Sequence, residues 1–178
     1  NYPAGRFTNF FWEDDAGNFW VGLGLRFAGP QKIMPTDIWK FNPVSLEWTW
    51  KKGFADSENS CSIGEICELI ESNQPGERFE NRATWKVSDQ LILTYAGISC
   101  PENSNDLWAF LPVQNTWLKI AEYPVSGHYG TKGAPSPLDS PKWRMGAASF
   151  KDKKNNCWVF AGRGISGNVG NDLWKYEI

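Results

Sequence analysis

Asn171-Asp172-Leu173-Trp174-Lys175-Tyr176 has two earlier counterparts in this chain, Thr36-Asp37-Ile38-Trp39-Lys40-Phe41 and Asn105-Asp106-Leu107-Trp108-Ala109-Phe110. The three Trp lie 69 and 66 residues apart. Self-similarity at a spacing of tens of residues marks a repeat architecture in which each copy is one supersecondary unit. Reading outward from this motif decides the fold.

Upstream of each copy lies a Pro-x-x-Arg element: Pro3 to Arg6, Pro75 to Arg78 and Pro141 to Arg144. From there an apolar stretch runs to Trp12, Trp85 or Phe150, and a polar cluster follows, such as Glu13-Asp14-Asp15-Ala16-Gly17-Asn18. Asp, Asn and Gly between apolar runs read as hairpin turns. Next comes a continuous apolar run ending in Gly: Phe19 to Gly24, Ile92 to Gly97 and Cys157 to Gly162. Arg to Gly spans 18, 19 and 18 residues. Short, aromatic-rich and β-branched, these runs have the character of strands buried on both faces. The Asp-Leu-Trp piece is a third strand. A fourth centres on Trp48 and Trp117, after the Pro-containing turns at Asn42-Pro43 and Leu111-Pro112. The third copy ends at Ile178, before its fourth strand. A helical turn is expected only at Ile63 to Ile70.

The pattern resembles the kelch repeat in its Trp-rich form. The resemblance covers nearly the whole chain in three copies, which keep one Gly of the family's Gly-Gly doublet (Leu23-Gly24, Ala96-Gly97, Ala161-Gly162) and carry longer connections. It implies an all-β fold, a segment of a kelch-type β-propeller built from four-stranded antiparallel blades. The first blade would occupy residues 1–51, a long connection 52–74, the second blade 75–121, a connection 122–140, and the third blade 141–178 without its outer strand. Propellers have four to eight blades. The first and third blades would therefore each show an apolar face. Two covers are expected: the remaining blades of a longer chain, or a second copy closing a six-bladed ring about a two-fold axis.

Composition narrows the function classes. The 178 residues carry 11 Trp, and the net charge is −2, so no global field favours nucleic acid. No apolar run is long enough to span a bilayer. The chain begins at Asn1 rather than Met, as a processed protein or a fragment does. Four Cys without a Cys-x-x-Cys pair, and one His, do not suit a structural zinc site. Cys61 and Cys67 sit in one between-blade loop and form the expected disulfide, with Cys100 as rival partner; Cys157 is expected to be a buried free thiol. A bridge in that loop points to an extracellular or secreted protein, with four reduced thiols in the cytoplasm as the alternative.

In an antiparallel blade, the loop after the second strand and the loop between blades leave from one face. That face holds the long loops and is the expected binding surface, with Arg26, Lys32, His128, Tyr129, Lys132 and Arg163 as candidate contacts. The recurring Arg (Arg6, Arg78, Arg144) is expected to make hydrogen bonds or cation–π contacts between blades, and the Asp of each motif to accept backbone N–H groups. Trp39, Trp108, Trp174, Trp48 and Trp117 read as core by recurrence. Some kelch-like propellers are copper oxidases, whose site needs two His; His128 stands alone here. The Glu13-Asp14-Asp15 cluster reads as a turn, and Gly162-Arg163-Gly164-Ile165-Ser166-Gly167 precedes a strand and so offers no helix N-terminus to phosphate. The expected function is a non-enzymatic binding or scaffold module for a protein partner, without cofactor or metal. The alternatives are a carbohydrate-binding propeller or part of a larger kelch-propeller oxidase.

Overall fold

The computed structural model describes residues 1–56, 64–80, 83–99, 104–164 and 167–178. The chain is all-β and builds several small antiparallel sheets. In the first repeat, β1 (Phe10–Glu13), β2 (Phe19–Gly22), β5 (Ile38–Asn42) and β6 (Glu47–Lys52) form a four-stranded meander, while β3 (Arg26–Ala28) and β4 (Gln31–Ile33) make a ribbon in the connection between β2 and β5. The second repeat gives β7 (Arg78–Phe79), β8 (Ala83–Ser88), β9 (Leu91–Tyr95), β10 (Ile98–Ser99), β11 (Asp106–Leu111) and β12 (Thr116–Glu122). Of these, β8, β9, β11 and β12 form the second meander, and β7 pairs with β10. The third repeat ends in a three-stranded sheet of β13 (Ala148–Lys151), β14 (Cys157–Phe160) and β15 (Leu173–Tyr176).

Side chains close the hairpins. Asp14 Oδ1 accepts the amides of Ala16 and Asn18 at 3.1 and 2.9 Å, and its Oδ2 accepts Trp20 Nε1 at 2.9 Å. Asp152 does the same for Lys154, Asn156 and Trp158. Asp, four residues to Asn, two more to Trp: this spacing reverses the chain and anchors the indole of the returning strand. At the next turn, Asn42 Oδ1 accepts Val44 N at 2.8 Å.

Register places the long connections. Phe10 pairs with Gly22, Gly22 with Ile38 and Ile38 with Lys52, so β1 begins, β2 ends, β5 begins and β6 ends at one edge of the sheet. Ala83, Tyr95, Leu107 and Ala121 mark the same edge in the second sheet, and Ala148, Phe160 and Leu173 in the third. The residue pairs that leave β2, β9 and β14 there are left-handed: Leu23, Ala96 and Ala161 at φ 55, 54 and 57°, then Gly24, Gly97 and Gly162 at 99, 101 and 101°. The first position tolerates a side chain near the αL minimum; the second demands glycine. A Cβ on Gly24 would stand 2.8 Å from Phe7 O.

The sheets pack face to face. One core joins Phe10, Trp12, Trp20 and Ile38 of the first sheet to Ile92, Trp108, Phe110 and Trp117 of the second. The other joins Ala83, Trp85, Leu93, Tyr95 and Leu107 of the second sheet to Cys157 and Val159 of the third, with Trp174 and Tyr176 against them. Hydrogen bonds tie neighbouring sheets: Gly24 N to Arg78 O at 3.0 Å, Gly97 N to Arg144 O at 3.3 Å, and Trp85 Nε1 to Phe150 O and Trp158 O at 3.0 and 3.1 Å. The second sheet is thus covered on both faces, while the first and third are each covered on one.

Three expectations change. The inner strands of the first and third sheets begin at Phe10 and Ala148, beyond Arg6 and Arg144; in the second repeat, residues 81–82 before Ala83 lie outside the described residues. Residues 64–70 form no helical turn. Ile66 bridges in parallel to Lys119, and Cys67 N donates to Lys119 O at 2.9 Å, so the connection feeds the open edge of β12. The continuous apolar run is buried on both faces only in β9; Phe19 and Phe160 are exposed. No helix among the described residues is long and apolar enough to cross a membrane.

Candidate functional site

Each repeat contains one charged node at the long-connection edge. Arg78 Nη1 and Nη2 donate to Asp106 Oδ1 and Oδ2 at 2.9 and 3.1 Å, and Trp108 Nε1 donates to Asp106 Oδ2 at 2.6 Å. Arg144, Asp172 and Trp174 repeat this at 2.8, 2.9 and 2.6 Å. Arg6 pairs likewise with Asp37, which accepts Trp39 Nε1 at 2.6 Å. Every Arg also donates to the carbonyl of the left-handed residue after the second strand: Leu23 O, Ala96 O and Ala161 O. The recurring Arg therefore serves its own repeat through its side chain, and the motif Asp accepts Arg and indole rather than backbone amides. Only the backbone of Arg78 and Arg144 reaches the preceding sheet. A bidentate Arg–carboxylate pair with the indole on one of its oxygens is a strong, charge-assisted anchor. Each node ties the Arg to the Asp at the start of the third strand of its own sheet.

The second node is the most secluded, with side-chain exposures of 0% for Arg78 and 1% for Asp106, whereas Asp172 is 21% exposed. Asp172 has a fourth contact. Tyr129, from the connection between the second and third sheets, donates its hydroxyl to Asp172 Oδ2, stands edge-on to Trp174 at 5.0 Å and lies under Lys142 Nζ at 5.3 Å. Burial pushes the Asp172 carboxyl up, but hydrogen bonds from Arg144, Tyr129 and Trp174 outweigh it and hold the group far below the usual carboxylate range. Burial and the bond to Asp172 raise the Tyr129 phenol.

The candidate contacts do not gather into one recess. Arg26 pairs with Asp56 and donates to Ala55 O at 3.3 Å. Lys32, on the β3–β4 ribbon, stands 4.5 Å over the Phe79 ring. His128 Nδ1 lies 3.2 Å from Asp139 Oδ1, and its backbone pairs with Ser140. Tyr129 is the strap just described. Lys132 is exposed on the same connection, and Arg163 is exposed and bridges to Met145 and Val169 through its backbone. Arg26 and Lys32 belong to the first repeat's ribbon, while His128, Tyr129 and Lys132 share a connection 122–140.

The concavity that spans all three sheets lies elsewhere. A cleft of about 680 Å³ opens between the inner strands β1, β8 and β13, lined by Thr8, Asn9, Phe11, Thr84, Ala148 and Ser149 among others. These residues sit at or just before the strand starts, at the edge where the long connections leave. Ser149 Oγ accepts Thr84 N at 3.3 Å, which joins two walls, and Phe11 stands 70% exposed on the third. Sequence reasoning missed this cleft because it looked to loops; the signal was the recurrence of the inner strands themselves.

Cys67 is exposed and unbridged, and its expected partner Cys61 lies outside the described residues, as does Cys100. Cys157 is a buried free thiol at the start of β14, pushed up to about 11 by burial. Among the described residues no group of three or more His, Cys, Asp or Glu is placed to hold a metal ion. Asp14 of the acidic cluster is spent on its turn. Burial pushes its carboxyl up, and bonds from Trp20, Asn18 and Lys40 hold it far below the usual range. No protein-family model matches the chain, and no curated protein matches it.

Proposed function

We propose that this chain is a non-enzymatic binding and scaffold module, built as consecutive blades of a kelch-type β-propeller, that takes a protein partner at the edge where its long connections leave. The observation that carries this reading is the cleft where three inner strands converge. Its walls set the exposed Phe11 ring beside the polar residues Thr8, Asn9, Thr84 and Ser149, the mix of apolar anchor and polar rim found at protein interfaces. The meander of each sheet, the left-handed x-Gly pair and the Arg–Asp–Trp node recurring three times support the blade reading. On the same edge of the sheets, Tyr129 and the β3–β4 ribbon supply further contact surface.

A photo-crosslinking amino acid placed at Phe11 tests the reading against the same probe at Val44, in the short turn at the opposite edge and 92% exposed. Capture of one protein species at Phe11 and none at Val44 is the expected result. Equal labelling at both sites contradicts it, and saturable glycan-array binding abolished by Phe11→Ala without protein capture turns the reading to carbohydrate.

A further inference from the structure

The first and third sheets each keep one unpacked face, and the two internal junctions show what those faces are made for. In the second sheet, Ile92, Trp108, Phe110 and Trp117 are 0–1% exposed against the first sheet. The residues at the same repeat positions in the first sheet are Phe19, Trp39, Phe41 and Trp48, aligned across β2, β5 and β6 by register. Trp39 is already buried at 8% exposure, while Phe19, Phe41 and Trp48 form a free aromatic face, with Phe19 and Phe41 stacked at 6.5 Å and Phe41 against Trp48 at 4.9 Å. Conversely, the first sheet presents Trp12 stacked on Trp20 at 5.0 Å to the second. The third sheet has Phe150 stacked on Trp158 at 5.9 Å in those positions, with exposed Phe160 and Leu173 beside them, on its free face.

Charge adds a second, independent match. At the first junction, Lys86 of β8 reaches the preceding turn and pairs with Asp15 at 2.6 Å. Lys86 pairs with Ile92, whose repeat position in the first sheet is Phe19, and Phe19 pairs with Glu13, so Glu13 holds the position of Lys86 in the first repeat. The position of Asp15, next after the turn-closing Asp, is Lys153 in the third. Glu13 and Lys153 are both exposed. The pair is reversed in sign at both ends, so the third sheet's turn and the first sheet's inner strand are complementary to each other.

We propose that a second copy of this chain covers these faces: the free face of the third sheet packs on the free face of the first sheet of the other copy, head to tail, and two such junctions close a ring of six sheets about a two-fold axis. Gly162 N then donates to Arg6 O of the other copy, as Gly24 and Gly97 donate to Arg78 and Arg144. This inference rests on the blade reading above and names the partner of its end faces.

The test is sedimentation of the 178-residue chain and of charge-swap variants. The wild type sediments as a dimer at micromolar concentration. Glu13→Lys and Lys153→Glu each weaken the dimer about tenfold, and the double swap restores it. Phe160→Arg, on the third sheet's free face at the end of its central strand, yields a monomer with an unchanged β-sheet spectrum. A wild-type monomer overturns the inference, as does a dimer indifferent to both single swaps, or one that the double swap fails to restore. The crosslink at Phe11 reads separately. A monomer that still captures a protein there defeats only the dimer, and a dimer without capture defeats only the binding module.

Discussion

The second sheet and the first carry the same side-chain plan and differ in what covers it. Phe110 is 0% exposed, while Phe41 at its repeat position is half-buried. Trp117 is 1% exposed, and its counterpart Trp48 is half-buried. The four-strand order and the Arg–Asp–Trp nodes are common to both. Trp39 is buried at 8% exposure even without a covering sheet, but burial of the Phe41 and Trp48 positions is a property of the junction, as expected of repeat units that complete a core by stacking.

The sharpest way to break the comparison is to remove the guanidinium. Arg78→Ala leaves the Asp106 carboxylate uncompensated in a dry site and costs about 3–5 kcal/mol. Arg144→Ala costs roughly half of that, because Asp172 keeps Tyr129 and some water. Urea unfolding of both variants checks this, and equal losses would mean that node seclusion does not set the cost. Ring deletion comes next. Phe110→Ala empties a packed junction and costs about 3–5 kcal/mol. Phe41→Ala, measured on dilute protein, costs about 1 kcal/mol, for a side chain that is half in water. At concentrations where a second copy covers the first sheet, the Phe41 cost rises towards that of Phe110. A Phe41 cost independent of protein concentration would count against the covered face.

Much of this was legible. Polar clusters after the inner strands, short apolar runs ending in Gly and the Asp-Leu-Trp motif marked the strands of all three sheets. The node was not read, although Arg precedes its Asp by 31, 28 and 28 residues. Each Arg precedes its inner strand, so no alternation pattern points it at a partner, and sequence suggested a contact between blades. The six candidate contacts were chosen by loop membership, which specifies an edge of the sheets but not which side chains meet. Tyr129 is one of them, and its ring meets Trp174 of its own chain. The turns also separate the outer sheets from the middle one. Asp14 and Asp152 close theirs, whereas the β8–β9 turn is shorter and bulged between Lys86 and Ser88.

Acid probes that last difference with the smallest expected effect. Bonds from Asn156 and Trp158 lower the Asp152 carboxyl from 3.8 to about 2. A carboxylate depressed in the folded state contributes stability that is present above its unfolded value and lost as pH falls through its folded one. Thermal midpoints should therefore drop as pH falls from 3.8 towards 2, with Asp14 and Asp172, held lower still, extending the loss further. Asp152→Asn should be less stable than the wild type at neutral pH, with the gap closing towards pH 2. A gap that stays constant with pH would remove Asp152 from the acid response.

The most direct measurement of the central claim, that the two free faces are halves of one more junction, is the hydrogen exchange of the Gly162 amide. Gly24 and Gly97 hold the same position and donate across their junctions. The account predicts that Gly162 exchanges freely in dilute protein and becomes protected, as those two are, once protein concentration populates the dimer. A Gly162 amide that exchanges at one unprotected rate across that range would contradict it.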